Sequence, residues 1–275
     1  MNNTIKRIYS KFKCPCEGSL RLEDEVLRCE ACGKIIAANG NIVRFIGDDE
    51  KRPYWAKQLD TYYPDGTIPD VKERYYSFGG YVSRLPQAEG FITFALGAGN
   101  TIVDLASGPS GYFAPLLERL KPSQLFIGTD ACCAVLNAHA AANSENEQFL
   151  MLDIDLDKPL PFRTSSIDVF TGFLTSNVIG YGALLSEVAR CLKPGGRLVV
   201  AEIFYEKGCV TWQYLKNESA VNAAFEDYVS YCENIGLTYR GSELVKAIVG
   251  KLDPEDLYPL DDADKSEIRT VYFEK

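Results

Sequence analysis

Residues 101–111 read TIVDLASGPSG: an apolar run enters an aspartate, turns through small residues, and passes into GYFAPLLERL at helical spacing. This stretch limits the fold more than any other. A buried strand ending in a tight glycine-containing bend before a helix leaves backbone N–H groups facing an open crevice. A second apolar run, LFIGTD, ends about twenty residues later in an acid, Asp130. In an α/β sheet that pairing suits a nucleoside, with the bend beneath it and the acid on the ribose hydroxyls.

The surrounding pattern supplies the rest of such a sheet. Strand signals at 101–105, 124–129, 148–152, 167–173 and 197–204 alternate with helical signals at 111–120, 132–142 and 181–192. The alternation predicts a parallel sheet with helices on both faces. LTYRGSELVK and EIRTVYFEK then read as two closing strands. Three units follow from the punctuation: a small cysteine-bearing unit at 1–47, a linker and helical lid over the active site at 48–97, and the main domain at 98–275. Segments 205–236, rich in aromatics, and 245–266 read as substrate-side insertions. Tyrosines of 61–81 (Tyr62, Tyr63, Tyr75, Tyr76, Tyr81) and the aromatics of 205–231 are expected to face each other over the crevice mouth.

Charge argues against nucleic acid as the favoured partner. The net charge is −9, and residues 101–275 hold 15 basic against 25 acidic side chains. Such a body repels phosphate, although a local basic patch would keep nucleic acid open as a partner. No apolar run reaches membrane-spanning length and MNNTIKRIYSKFK lacks the apolar core of a signal peptide, so a cytoplasmic setting is expected.

Nine cysteines would be unusual there as disulfides. Cys132, Cys133, Cys191, Cys209 and Cys232 read as small buried hydrophobes. The others form two close pairs, Cys14-Pro15-Cys16 and Cys29-Glu30-Ala31-Cys32. Two pairs joined by a hairpin can present four thiolates tetrahedrally, which suits a closed, structural zinc. Lys11, Lys13, Arg28 and Lys34 flank the pairs and would balance the thiolates. The single residue inside the first pair departs from the usual two, so a degenerate, metal-free ribbon is the other reading.

CPCEGSLRLEDEVLRCEACGKIIAANGNIVRFI resembles the small zinc-ribbon proteins that activate tRNA and protein methyltransferases. It is also similar to the ribbon that precedes the catalytic domain of ribosomal-RNA guanine methyltransferases. Further along, DLASGPSG, the acid at Asp130, LDIDLDKPLPF with SIDVF after it, and the LKPGG turn occur in the order seen in the S-adenosylmethionine-dependent class I methyltransferases. Their fold is a Rossmann-like seven-stranded mostly parallel sheet. A nicotinamide-binding protein could share the glycine turn, but PLPF and LKPGG are out of place in one.

The resemblance implies a set of cofactor contacts. Asp104 opens the motif, with Ala106, Ser107, Gly108, Ser110 and Gly111 in the bend beneath the methionine part. Asp130 and Ala131 would meet the ribose and adenine, Asp153 and Ile154 the adenine edge, and Gly172 and Phe173 the methyl-donor end. Cys14, Cys16, Cys29 and Cys32 would hold Zn²⁺. His139, the single histidine, falls on the adenine side, so no histidine base is expected; Glu202, Glu206 or a tyrosine could substitute. The acceptor is then one that needs no strong base, a carboxylate or amine of a small molecule or peptide. Arg74 and Arg84 could clamp a carboxylate. An RNA base methyltransferase using the ribbon for recognition is the alternative, and a non-catalytic binding module a third reading.

Overall fold

A short helix, α1 (Asn3–Ile8), is followed by four short strands: β1 (Leu20–Glu23), β2 (Val26–Cys29), β3 (Ile35–Asn39) and β4 (Ile42–Arg44). Helices α2 (Tyr54–Tyr62), α3 (Val71–Arg74) and α4 (Pro86–Leu96) lead to β5 (Thr101–Leu105). The predicted alternation then appears: α5 (Ala114–Leu117), β6 (Leu125–Asp130), α6 (Cys133–Ala142), β7 (Phe149–Asp153), β8 (Ile167–Phe173), α7 (Tyr181–Cys191) and β9 (Leu192–Tyr205). Helices α8 (Val210–Asn217) and α9 (Phe225–Asn234) precede an antiparallel pair, β10 (Thr238–Val249) and β11 (Lys265–Glu274). This computed structural model describes residues 3–47, 50–63, 65–74, 86–175, 181–218, 220, 223–251 and 258–275. Tyr75, Tyr76, Tyr81 and Arg84 lie outside the described residues, as does the side chain of Arg74.

Every residue of β5, β6 and β7 is buried, as a parallel strand covered on both faces requires. Successive side chains then serve opposite layers. Ile102, Val169 and Val199 pack with Phe91, Ile92 and Ala95 of α4 and Leu136 of α6. Their neighbours Val103, Phe170 and Val200 pack with Leu184, Leu185 and Val188 of α7 and Tyr228 of α9. Strand order reverses at β5, whose partners β6 and β8 lie on opposite sides. That switch opens a crevice at the carboxyl ends of the strands.

The sheet is larger and more mixed than the expected seven strands. Eleven strands run in the order β1-β2-β3-β4-β7-β6-β5-β8-β9-β11-β10. The seven from β7 to β10 in that order match the expectation, and the four N-terminal strands extend the β7 edge. β4 pairs parallel with β7 through Ile42↔Met151, Val43↔Leu152 and Arg44↔Asp153. Ile36, Ala38 and Val43 share one core with Leu150 and Leu152, so the N-terminal unit is built onto the main sheet.

Two local readings change. LKPGG is no turn between helix and strand but a bulge inside β9, since Ile167 pairs with Leu192 while Val169 pairs with Arg197. Residues 245–249 and 265–266 of the expected insertion belong to β10 and β11. Among the described residues, no helix is long and apolar enough to cross a membrane.

Candidate functional site

Four strand ends converge on one cleft of about 330 Å³. Ala106–Ser110 contribute the loop after β5, Asp130 and Ala131 the end of β6, Ile154–Asp157 the segment after β7, and Phe173 and Leu174 the end of β8. Pro53, Trp55, Ala56 and Leu59 close the outer side from α2 and its approach. Ala56 is anchored there by packing with Ile68, Val71, Cys132 and Val135.

The loop after β5 is held by side chains beneath it. Ala106 and Gly108 take left-handed conformations, with φ of 49° and 59°. For alanine that region costs roughly 1–2 kcal/mol, so the surroundings must impose it. Ala106 N–H donates to Thr129 Oγ1 (3.2 Å), Ser107 N–H to the Thr129 carbonyl (2.8 Å), and Gly108 N–H to Asp130 Oδ2 (3.0 Å). These three N–H groups therefore serve the loop itself, where the sequence suggested they would face the crevice. From below, His139 Nε2 donates to the Gly108 carbonyl (2.7 Å). Burial drives the His139 pKa down to about 4, which keeps the ring neutral and in a donating role.

Two buried acids differ in task. Asp104, 3% exposed, accepts from Ser107 Oγ (2.8 Å) and Thr171 Oγ1 (2.7 Å), and burial raises its pKa to about 7. Asp130 lines the cleft and accepts from Gly108 N–H and from Cys132 N–H (2.8 Å); burial raises its pKa to about 6. A carboxylate has about four acceptor positions; the N–H groups of Gly108, Cys132 and Ala131 take three on Asp130 and leave about one for a ligand hydroxyl.

These values dictate how stability changes with pH. A carboxyl with a raised folded-state pKa stabilises below its unfolded value of 3.8 and loses that contribution as pH rises through about 7 for Asp104. The depressed His139 acts oppositely, adding stability as pH rises from about 4 to 6.5. Of Asp104, Asp130 and His139, Asp104 titrates highest, so its contribution to the melting temperature should still be falling between about pH 6.5 and 8. Asp104→Asn keeps the shape and should remove that fall; an unchanged slope in calorimetric scans would refute the assignment.

Residues 103–200 match the family described as a methyltransferase domain. The chain is 36% identical over 109 residues to a demethylmenaquinone methyltransferase of Lactococcus lactis subsp. lactis (strain IL1403), covering 38% of this chain and 42% of that protein. A ubiquinone/menaquinone biosynthesis C-methyltransferase of Geobacter sulfurreducens is 28% identical over 136 residues, 48% of this chain and 52% of that one. The chain thus spans about half the length of the curated relatives it matches. Among solved structures, geranyl diphosphate C-methyltransferase from Streptomyces coelicolor A3(2), with Mg²⁺, geranyl diphosphate and S-adenosyl-L-homocysteine, superposes with a TM-score of 0.56. That match covers 81% of this chain and 98% of the other at 14% identity, a likeness of fold.

Within the matched region the structure sorts the sequence-predicted residues. Ala106, Ser107, Gly108, Ser110, Asp130, Ala131, Ile154 and Phe173 line the cleft; Asp104, Gly111, Asp153 and Gly172 do not. Asp153 is the sharpest departure. It is 0% exposed, and its oxygens accept from Arg52 Nη1 and Nη2 (2.8 Å each) and Arg44 Nη1 (3.2 Å). Asp155 and Asp157 are the acids that reach the cleft after β7, and Asp155 is the nearer to the strand end. Sequence reasoning missed both, together with Trp55, Leu59 and Tyr112, which stacks on Phe173 at 5.6 Å. The described aromatics of the cleft are Trp55, Tyr112 and Phe173; Tyr62, Tyr63 and the described aromatics of 205–231 do not line it. Glu202 is buried elsewhere, and exposed Glu206 pairs with Lys265 (3.7 Å).

The paired cysteines do converge. All four sulfurs lie within 4.8 Å of one another, with Cys14–Cys32 at 3.7 Å and Cys16–Cys29 at 3.5 Å. A tetrahedral zinc, ~2.3 Å from each sulfur, needs sulfurs ~3.8 Å apart, so the set fits that ion. A Cβ on Gly18 would sit 2.6 Å from Cys29 Sγ and 3.3 Å from Cys16 Sγ. Only glycine leaves the sulfurs that space. The short first pair is accommodated by Glu17, at φ 67°, and by Cys14 N–H donating to the Gly18 carbonyl (3.0 Å). The flanking cations have other partners: Lys13 with Glu17, Arg28 with Glu23, Lys34 with Glu50, and Lys11 with the Ser166 carbonyl.

Proposed function

We propose that the chain is an S-adenosylmethionine-dependent methyltransferase acting on a small-molecule or peptide acceptor. The observation that carries this is Asp130, a carboxylate held at the cleft wall at the end of β6 by the N–H groups of the loop it faces. Asp130 would take a ribose hydroxyl, Ala131 and Ile154 the adenine, and the loop from Ala106 to Gly108 the methionine part. Bound there, S-adenosylmethionine supplies a methyl group activated for in-line displacement. Phe173, Tyr112 and Leu174 exclude water at the β8 end and leave alignment as the main source of rate.

The acceptor follows from what surrounds it. No histidine, lysine or arginine lines the cleft among the described residues. An acceptor needing no strong base fits such a wall, and Asp130, Asp155 and Asp157 on it favour an amine over a carboxylate. The two named relatives modify small molecules, which agrees with the size of the cleft. The paired state of Lys13, Arg28 and Lys34 weakens the RNA alternative, because few ribbon cations remain for phosphate. The four cysteines are assigned a structural zinc, which when bound closes its own coordination shell and leaves no position for substrate.

Labelled S-adenosylmethionine offered with separate metabolite, peptide and RNA fractions tests the reading. Label is expected in the metabolite or peptide fraction. Labelling confined to RNA would replace the acceptor class, and no binding of S-adenosylhomocysteine would end the donor assignment.

A further inference from the structure

Asp153 and its two arginines have no role in the site as described, yet they sit directly behind it. Arg52 meets the carboxylate end-on, Nη1 to Oδ1 and Nη2 to Oδ2, both at 2.8 Å. That two-pronged arrangement is among the stronger ion-pair geometries. Nη1 also donates to the carbonyl of Ala131, the residue after Asp130 on the cleft wall. Arg44, on β4, adds Nη1 to Asp153 Oδ2 and Nη2 to Asn137 Oδ1 (3.1 Å). Residues on either side of this cluster line the cleft: Ala131 after β6, Ile154 after β7, and Pro53 next to Arg52 itself.

The connectivity gives the cluster a purpose. Helix α2 brings Trp55, Ala56 and Leu59 to the open side of the cleft. Its amino-terminal approach is held by Arg52 on Asp153, next to Pro53, and further back by partly exposed pairs of Glu50 with Lys34 and Lys158. We infer that Arg52 is a positioning residue for the donor: by gripping Asp153 and the Ala131 carbonyl it holds Pro53, Trp55, Ala56 and Leu59 as the outer wall of the nucleoside cleft. The acid that the sequence offers to adenine instead fastens the wall around it. This inference rests on the donor reading above.

Calorimetry with S-adenosylhomocysteine separates the two. Wild-type protein is expected to bind, and Arg52→Ala to bind on the order of tenfold to a hundredfold more weakly, with Arg52→Lys between them. Added methylguanidinium should recover part of the Arg52→Ala loss, which a merely misfolded variant would not allow. Equal affinity of Arg52→Ala and wild type overturns the positioning role alone. Failure of wild type to bind removes the donor reading and this one with it. Should Arg52→Ala not fold, hydrogen exchange on the wild-type chain decides: S-adenosylhomocysteine should slow the amides of 55–59, and unchanged exchange there would count against the wall.

Discussion

Asp130→Ala is expected to weaken S-adenosylhomocysteine binding by at least a hundredfold. Two losses combine. The ligand forfeits a hydrogen bond to a charged acceptor, worth about 1.5–3 kcal/mol. The protein loses the acceptor of Gly108 and Cys132 N–H, and a donor left unsatisfied costs about 1–3 kcal/mol. Gly108 then keeps its carbonyl bond to His139, and the loop stays tied to β6 only through Ala106 and Ser107 N–H on Thr129. Asp130→Asn should fall between, since one amide oxygen can accept but its nitrogen cannot. The anion is the binding form, and burial lifts the pKa of Asp130 to about 6. Affinity should therefore tighten as pH rises through about 6 in the wild type and stay flat in Asp130→Asn. A titration placing Asp130→Ala within threefold of wild type would remove the carboxylate from the site.

Much of this site was legible because its signals are local. TIVDLASGPSG, LFIGTD and SIDVF each carry the burial of a strand in consecutive residues, and the observed β5, β6 and β8 begin within one residue of the expected positions. The cysteine pairs were equally readable, since one hairpin separates them. What could not be read were pairings set by distant residues. Arg44 faces Asp153 because β4 lies in register with β7, a match that neither sequence window announces. An acid at a strand end looks the same in sequence whether a nucleoside or an arginine satisfies it. Trp55 and Leu59 escaped notice for a related reason: the charged run before them reads as a linker, and only the packing of Ala56 with Ile68 and Val71 shows which way the helix turns.

The same edge pairing decides how far the N-terminal unit depends on metal. β1 and β2 are four residues each, and the buried apolar residues of β1–β3 are Leu20, Leu27, Cys29, Ile36 and Ala38. A hairpin of that size is marginal without a staple. Zinc in a four-thiolate site contributes about 10–16 kcal/mol to folding of the segment that binds it. Chelation, or Cys29→Ser, is thus expected to melt β1–β3 and to release about one zinc per chain. β4 should survive, because Ile42 and Val43 pair with β7 and Arg44 is held by Asp153. Hydrogen exchange should therefore become fast at 20–36 while 42–44 and 101–105 stay protected. Gly18→Val supplies the control with every cysteine intact: its side chain would displace Cys29 Sγ and produce the same pattern. A metal-free chain whose amides at 20–36 still exchange slowly would show that the sheet edge alone suffices, and that the four sulfurs are packed rather than bound.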